Sequence, residues 1–159
     1  MNTQQIDLSS FRKDYWTEEE YQNAELVVDF VQNIMNNHNF DYVKEKFGSH
    51  RYKQHNQTMT DGLEGVLKTV SDFTKNFPDF MYDVKHIYVD GPSVILHSHA
   101  TADKNHRGNP QKGLNIMDIW KVEDGEILEH WDAVQPIHTF MRFYALISGG
   151  KFKNENTYF

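Results

Sequence analysis

The sequence predicts an α+β fold in which helices come first and a meandering antiparallel sheet follows. Two observations predict this fold class. Apolar residues in the first half recur at helical spacing, whereas in the second half apolar and polar residues alternate between glycine-containing turns. With 159 residues, the chain fits one domain, 1–159, that can bury a core without a disulfide or metal ion. We expect the helices to cover one face of a curved sheet.

Three helices are predicted from spacing and end signals. Thr17 and Glu20 have the spacing of a capping box and precede a run of apolar residues at helical intervals. Gly48 is expected to stop the second helix, and Pro78 to end the third. The predicted helices cover residues 17–35, 40–47 and 63–76.

Four strands are predicted in the second half. The turns Asp90-Gly91-Pro92 and Asp124-Gly125 predict two hairpins. Residues 103–113 are polar and are expected to form an exposed loop between the hairpins. The stretch from Pro136 onward has two open interpretations: it frays, or it crosses to a partner subunit. The predicted strands cover residues Phe80–Val89, Ser93–Ala102, Leu114–Val122 and Glu126–Gln135.

Composition excludes several classes of function. The net charge of −7 gives no electrostatic support for binding nucleic acid or an anionic membrane. The 38% apolar and 14% aromatic residues predict an ordered core. The absence of cysteine excludes disulfides, thiolate zinc sites and cysteine nucleophiles. We find no apolar run of signal-peptide or membrane-span character, and therefore expect a cytoplasmic protein with no membrane partner.

The strands carry several residues of catalytic type. His97 and His99 are two apart and share one face of their strand. Asp118 lies in an otherwise apolar row with Trp120, where burial costs several kcal/mol unless the carboxylate is paired. That cost makes Asp118 a candidate for chemistry.

The last strand places His130 and Asp132 on a common face. If that face points inward, the hairpin at Asp124-Gly125 brings both residues near the Asp118 to Trp120 segment and produces a cavity with acids, imidazoles and an aromatic wall. Alternation alone leaves the inward face open, because both faces carry apolar residues and a bulge would change the count. Structural interpretations stay open as well: Asp132 could bond to backbone or to His130.

The motif YKQHN lies between the second and third predicted helices and could line the mouth of such a cavity. It contributes Tyr52, His55 and Asn56, with a loop-bracing role as the alternative for the last two residues.

Taken in order, YKQHN, DGLEGV, VILHSH and DIWKVEDGEILEHWDAVQP resemble the SnoaL-like branch of the nuclear transport factor 2-like superfamily. The resemblance is strongest over residues 52–136. It implies a cone-shaped curved antiparallel sheet wrapped by three N-terminal helices around a deep pocket, and it implies homodimers.

The resemblance also implies a function. In polyketide cyclases of this family, an Asp at the position of Asp132 is the general acid/base of a cofactor-free aldol condensation. This sequence has Asp118 where we expect an imidazole in those cyclases, so His97, His99 or His130 would have to replace that donor. The candidate catalytic residues are therefore Asp132, Asp118 and His130, and the candidate substrate-binding residues are Tyr52, His55, Asn56, His97, His99 and Trp120.

We therefore expect a small enzyme without cofactor or metal that transfers protons on a carbonyl-bearing molecule. Alternatives are a small-molecule-binding protein without turnover, or a dehydratase, isomerase or hydrolase on the same fold. A further alternative is a metal site of two His and one carboxylate, a pattern compatible with iron or zinc. It would combine His97 and His99 with Asp118 or Asp132.

Overall fold

The α+β class is confirmed by the structure, a computed structural model that describes residues 4–148. The helices precede the main sheet, and a further helix follows it. The helices are α1 (Glu18–Val31), α2 (Phe40–Phe47), α3 (Leu63–Asn76) and α4 (Thr139–Ser148), and the strands are β1 (Lys53–Gln54), β2 (Met81–Asp90), β3 (Ser93–Thr101), β4 (Leu114–Glu123) and β5 (Glu126–Pro136).

The predicted capping box starts α1. The Glu20 backbone N–H donates to Thr17 Oγ1 at 3.2 Å, and the Thr17 backbone N–H donates to Glu20 Oε2 at 2.7 Å. A π-helical segment, Gln32–Asn36, continues α1 directly, so the helical region has the predicted extent. The predictions for α2 and α3 are confirmed, with Gly48 at the C-terminal cap of α2.

The five strands form one open, curved sheet in the order β1-β5-β4-β3-β2. Both predicted hairpins are present. Asp124 and Gly125 connect β4 to β5 with φ values of 53° and 75°. A two-residue hairpin turn of type I′ requires positive φ at both positions, which glycine adopts freely and aspartate tolerates.

One face of the sheet packs against the helices and forms the core. On β3 the buried side chains alternate with partly exposed ones, and Val94, Leu96 and Ala100 are completely buried. Val27 and Val31 of α1 are completely buried within the same core cluster. Burial of apolar surface is the main favourable term in folding, so the apolar set of alternate side chains faces the interior.

A β-bulge changes the alternation of β5. Lys121 pairs with Glu129 and Val122 pairs with Ile127, so Leu128 is an extra residue on β5. Side chains two apart on a strand normally share a face. Across the bulge, side chains three apart share a face instead. As a result, Ile127 and His130 both face the interior.

Two elements differ from the sequence predictions. The strand β1 has only two residues and pairs in parallel with β5. Helix α4 occupies part of the stretch after Pro136 for which no element was predicted, and residues 149–159 of that stretch lie outside the described residues. Among residues 4–148, no helix is long and apolar enough to cross a membrane.

Candidate functional site

A buried imidazole and a buried carboxyl form the centre of the candidate site. Pairing of β4 with β5 places Asp118 opposite Asp132 and Trp120 opposite His130, so all four share the interior face. His130 Nε2 lies 3.1 Å from Asp118 Oδ1, and the two residues are only 4% and 2% exposed. The open question about the inward face of β5 is thus answered: His130 and Asp132 face Asp118.

Burial raises the pKa of the Asp118 carboxyl above its ordinary value. The hydrogen bond from His130 and its charge when protonated lower the pKa in part, and the negative charge of Asp132 raises it. Desolvation is the largest of these effects because a carboxylate loses most of its hydration in the core. Asp118 therefore keeps its proton to a higher pH than an exposed aspartate does.

Strand β1 adds a residue that the sequence analysis missed. Gln54 pairs with His130 in the parallel β1–β5 ladder, is completely buried, and places its Nε2 atom 2.9 Å from His130 Nδ1. An extended conformation of YKQHN would have placed Tyr52, Gln54 and Asn56 on one face. That period-two pattern is the signal that could have identified Gln54.

Asn56 holds the second carboxylate. Its Nδ2 atom donates to Asp132 Oδ1 at 2.6 Å and to Asp132 Oδ2 at 2.7 Å. The orientation of this amide follows from its other end, because Asn56 Oδ1 accepts hydrogen bonds from the backbone N–H and the hydroxyl of Thr58 at 2.7 and 2.6 Å. Asp132 is partly exposed, so it is the more accessible of the two carboxyl groups.

Aromatic rings surround the imidazole of His130. Trp120 stacks on it with ring centroids 4.7 Å apart, and Tyr52 lies on another side at 6.3 Å. Burial raises the pKa of the Tyr52 and Tyr82 hydroxyls well above the ordinary tyrosine value, and the charges of Asp118 and Asp132 raise it further, while the nearby Trp120 side chain lowers that of Tyr52 in part. Both hydroxyls therefore stay protonated and can act as donors.

Several interior polar atoms have no hydrogen-bond partner among the described residues. On the interior face of the sheet these include Ser98 Oγ, Asp118 Oδ2 and Trp120 Nε1, and Tyr52 Oη joins them from the YKQHN segment. Leaving a buried polar atom without a partner costs about 1–3 kcal/mol, so each such atom in a folded protein calls for a physical explanation. We call these four atoms the interior polar set.

His97 and His99 do not belong to the site. Leu96 pairs with Asp118 and His97 pairs with Met117, so the two histidines lie on the opposite face of the sheet. There His97 Nε2 contacts Asn115 Oδ1 at 2.7 Å, and His99 Nε2 contacts the Lys112 carbonyl at 2.7 Å. The prediction that they line the pocket is wrong, because burying Leu96 turns their strand the other way.

His55 also points away from the carboxyl groups. Its Nε2 atom lies 3.1 Å from Glu129 Oε2, and its ring stacks on Trp131 with centroids 4.5 Å apart. Glu129 and Trp131 flank His130 on β5 and face the other side of the sheet. Although its motif neighbours Tyr52 and Asn56 reach the site, His55 braces its outer side.

Three side chains of the site have the composition of a metal-ligand set. One ligand atom each from Asp118, His130 and Asp132 lie within 4.8 Å of one another. The alternative set with two histidines cannot form, because His97 and His99 lie on the other face of the sheet.

Two cavities in the described part of the chain lie elsewhere. One of about 570 Å³ lies between the N-terminal segment and α1, and includes Ile6 and Glu25. The other, of about 350 Å³, lies between the end of α3 and the loop that follows β3, and includes His106 and His138. Asp118, His130 and Asp132 line neither of them, so the deep pocket implied by the resemblance is not one of these two cavities.

Comparison with known proteins identifies the family. The family model of the SnoaL-like polyketide cyclases matches residues 25–141, which is most of the chain. The chain belongs to the SnoaL-like polyketide cyclase family. The match contains β1 and the β4–β5 hairpin, and therefore the whole site described above. A search of curated protein sequences found no significant match.

Solved structures share the fold of this SnoaL-like protein. A candidate polyketide cyclase from Bacillus cereus ATCC 10987 is 17% identical with a TM-score of 0.63, over 77% of this chain and 81% of that one. A candidate SnoaL-like polyketide cyclase from Jannaschia sp. CCS1 is 16% identical with a TM-score of 0.63, over 87% and 100%.

A structure with a different described activity is equally instructive. AclR, a candidate hydroxylase from Streptomyces galilaeus, is 17% identical with a TM-score of 0.58, over 82% of this chain and 97% of its own. At such identities the likeness shows the fold alone. SnoaL-like membership therefore fixes the architecture and leaves the reaction to be argued from the site.

Proposed function

We propose that this SnoaL-like protein is a small, cofactor-independent enzyme that transfers protons on a carbonyl-bearing organic molecule, as the aldol-condensation cyclases of the family do. One observation carries the proposal. The accessible carboxylate of Asp132, held by Asn56, lies on the same face as the buried Asp118–His130 pair. Two carboxyl groups in different environments, one buried and one partly exposed, are suited to opposite roles in acid/base catalysis.

In this proposal Asp132 is the base. It removes a proton from carbon next to a carbonyl group, and the electron pair moves onto the carbonyl oxygen to form an enolate. Asn56 positions the carboxylate through contacts to both of its oxygens. Tyr52 keeps its proton because its pKa is raised, so its hydroxyl and the indole N–H of Trp120 can donate to the enolate oxygen.

Asp118 is the acid in the same proposal. Its Oδ1 atom already accepts from His130, so the acid form carries its proton on Oδ2, which belongs to the interior polar set. The enolate carbon attacks a second carbonyl carbon, a carbon–carbon bond forms, and the resulting alkoxide takes the proton from Asp118 Oδ2. Transfer of a proton from Asp132 to Asp118 through the product or solvent then restores the starting state.

A second candidate function is small-molecule binding without turnover. The near-complete burial of Asp118 and His130 favours it, because a substrate must reach past Asp132 to contact them. A ligand would then be held at the partly exposed Asp132 and Asn56, without contact to the buried pair.

Replacing Asp132 by Asn distinguishes the two functions. The measurement is the rate at which the protein exchanges α-hydrogens of aryl ketones and β-keto esters with D₂O, followed by NMR. For an enzyme, we expect Asp132→Asn to lower the rate about 100- to 10,000-fold with little change in ligand affinity. The exposed Glu123→Gln variant is the matched carboxyl control and should keep the full rate.

Absence of exchange in the wild type, together with measurable binding of the same ketones, would support the binding function. Equal exchange rates in the wild type and Asp132→Asn would contradict the role of Asp132.

We also propose that the protein forms a homodimer. The outer face of the sheet exposes the apolar side chains of Tyr88 and Ile119 by 50% and 39%, and α4 exposes Leu146 by 75%. Apolar surfaces of this kind are typical of interfaces when they form one patch. Ile119→Lys should convert a dimer to a monomer in light scattering coupled to gel filtration, and a monomeric wild type would refute the proposal.

A further inference from the structure

The amide of Gln54 has only one orientation that satisfies both of its neighbours. Its Oε1 atom accepts the backbone N–H of Asn56 at 2.8 Å, which only an oxygen can do. Its Nε2 atom therefore faces His130 Nδ1 at 2.9 Å. The backbone of Gln54 is held as well, since its N–H donates to Asp61 Oδ1 at 2.7 Å.

This orientation determines where His130 carries its hydrogen. An amide nitrogen only donates, so the facing Nδ1 atom must accept and cannot carry a hydrogen. A neutral imidazole then carries its hydrogen on Nε2, which donates to Asp118 Oδ1 at 3.1 Å. The protonated imidazolium would direct a second N–H group at the amide N–H₂ group, a contact that has no acceptor.

We infer that Gln54 is a positioning residue that holds His130 in the Nε2–H tautomer and thereby keeps Asp118, His130 and Asp132 from acting as a metal site. A histidine that binds a metal ion presents a bare nitrogen to it and usually donates its other N–H to a carboxylate or carbonyl. Here the two nitrogens have the reverse roles. The nitrogen nearest the carboxyl groups carries hydrogen, and the bare nitrogen faces an amide donor.

The inference deepens the proposed function and rests on it for its catalytic meaning. With Gln54 in place, His130 only donates to Asp118. The imidazole therefore holds the Asp118 carboxyl in position without competing for its proton. The tautomer and the metal affinity can be measured without any substrate.

The variant Gln54→Glu tests the inference directly. A carboxylate at this position can still accept the Asn56 N–H, but it also accepts from His130 and so favours hydrogen on Nδ1. His130 Nε2 then becomes available as a ligand beside Asp118 and Asp132. Since partners of this kind change metal affinity roughly 10- to 100-fold, we expect Gln54→Glu to bind Zn²⁺ at least tenfold more tightly than the wild type in calorimetry.

Histidine side-chain ¹⁵N NMR provides the spectroscopic readout. The wild type at neutral pH should show His130 as the neutral Nε2–H tautomer, and Gln54→Glu should show hydrogen on Nδ1. Gln32→Glu is the matched control, because Gln32 is also a buried glutamine with both amide atoms hydrogen-bonded. It should leave the tautomer of His130 and the affinity for Zn²⁺ unchanged.

A wild-type His130 that is Nδ1–H or imidazolium at neutral pH would overturn the inference, even if Gln54→Glu did not fold. Equal Zn²⁺ affinity in the wild type and a folded Gln54→Glu variant would also overturn it. These outcomes are distinct from a failure of the proposed function, which is measured by hydrogen exchange in Asp132→Asn.

Discussion

Gly65 allows the loop that carries Asn56 and Asp61 to pack against helix α3, and its substitution by Ala should destabilise the protein. A Cβ atom at position 65 would lie 2.0 Å from the carbonyl oxygen of Thr60 and 2.6 Å from its carbonyl carbon. Both are backbone atoms, so the loop itself would have to move. Asp61 is the next residue and holds the backbone of Gln54, so the movement would reach the candidate site.

The magnitude follows from two opposing effects. Replacing Gly by Ala inside a helix normally stabilises by about 0.5–1 kcal/mol. Forcing an extra carbon into a packed region costs about 1–3 kcal/mol, and the upper half applies because backbone atoms must shift. We expect Gly65→Ala to lower the free energy of unfolding by about 1–2 kcal/mol, which corresponds to a fall in Tm of roughly 2–8 °C at this chain length.

Urea unfolding followed by circular dichroism measures this change. Ser71→Ala is the control, since Ser71 is a partly exposed position in the same helix where Ala brings only its higher helix propensity. We expect that control to be unchanged or slightly stabilised. A Gly65→Ala variant as stable as the wild type would show that the loop has room to move, and the packing argument would fail.

Two further changes test the buried polar groups. Asp118→Asn should gain stability relative to the wild type as the pH rises. In the wild type, the raised pKa of Asp118 in the folded state contributes stability that is complete below the ordinary value of 3.8 and is lost as the pH rises through the folded pKa. Urea unfolding at several pH values measures the difference between the two proteins. A difference that does not change with pH across that window would contradict this prediction. Asn36→Ala should cost about 2 kcal/mol or more, because Asn36 bonds both the N–H and the carbonyl of Tyr82 in the core. Thermal unfolding measures this loss, and the exposed Gln111→Ala variant should stay within about 0.5 kcal/mol of the wild type.

The helices and hairpins could be predicted because their signals are local. The capping box at Thr17, the apolar spacing that follows it and the turn at Asp124-Gly125 each act over a few residues. The register of the β4–β5 hairpin follows from its two-residue turn only as far as the pair Val122 and Ile127. Beyond the bulge, the tertiary structure decides that Asp118 lies opposite Asp132.

The sequence predicted less well which face of the sheet each side chain lies on. His97 and His99 share a face as expected, but that face is the outer one, because the alternating residues Leu96 and Ala100 are the ones the core buries. Both sets of alternate residues on this strand contain apolar members. Only the position of the helices decides between them.

By itself, the sequence determined the order of the first three helices and the four long strands, the turns, and the identity of the two carboxyl groups, because each depends on neighbours along the chain. The tertiary structure alone decided that Gln54 contacts His130 and that Asn56 holds Asp132. Those contacts join residues 76 positions apart through a parallel strand of two residues. A strand that short has almost no sequence signal, and its pairing is set by the packing of the surrounding loop against α3 and β5.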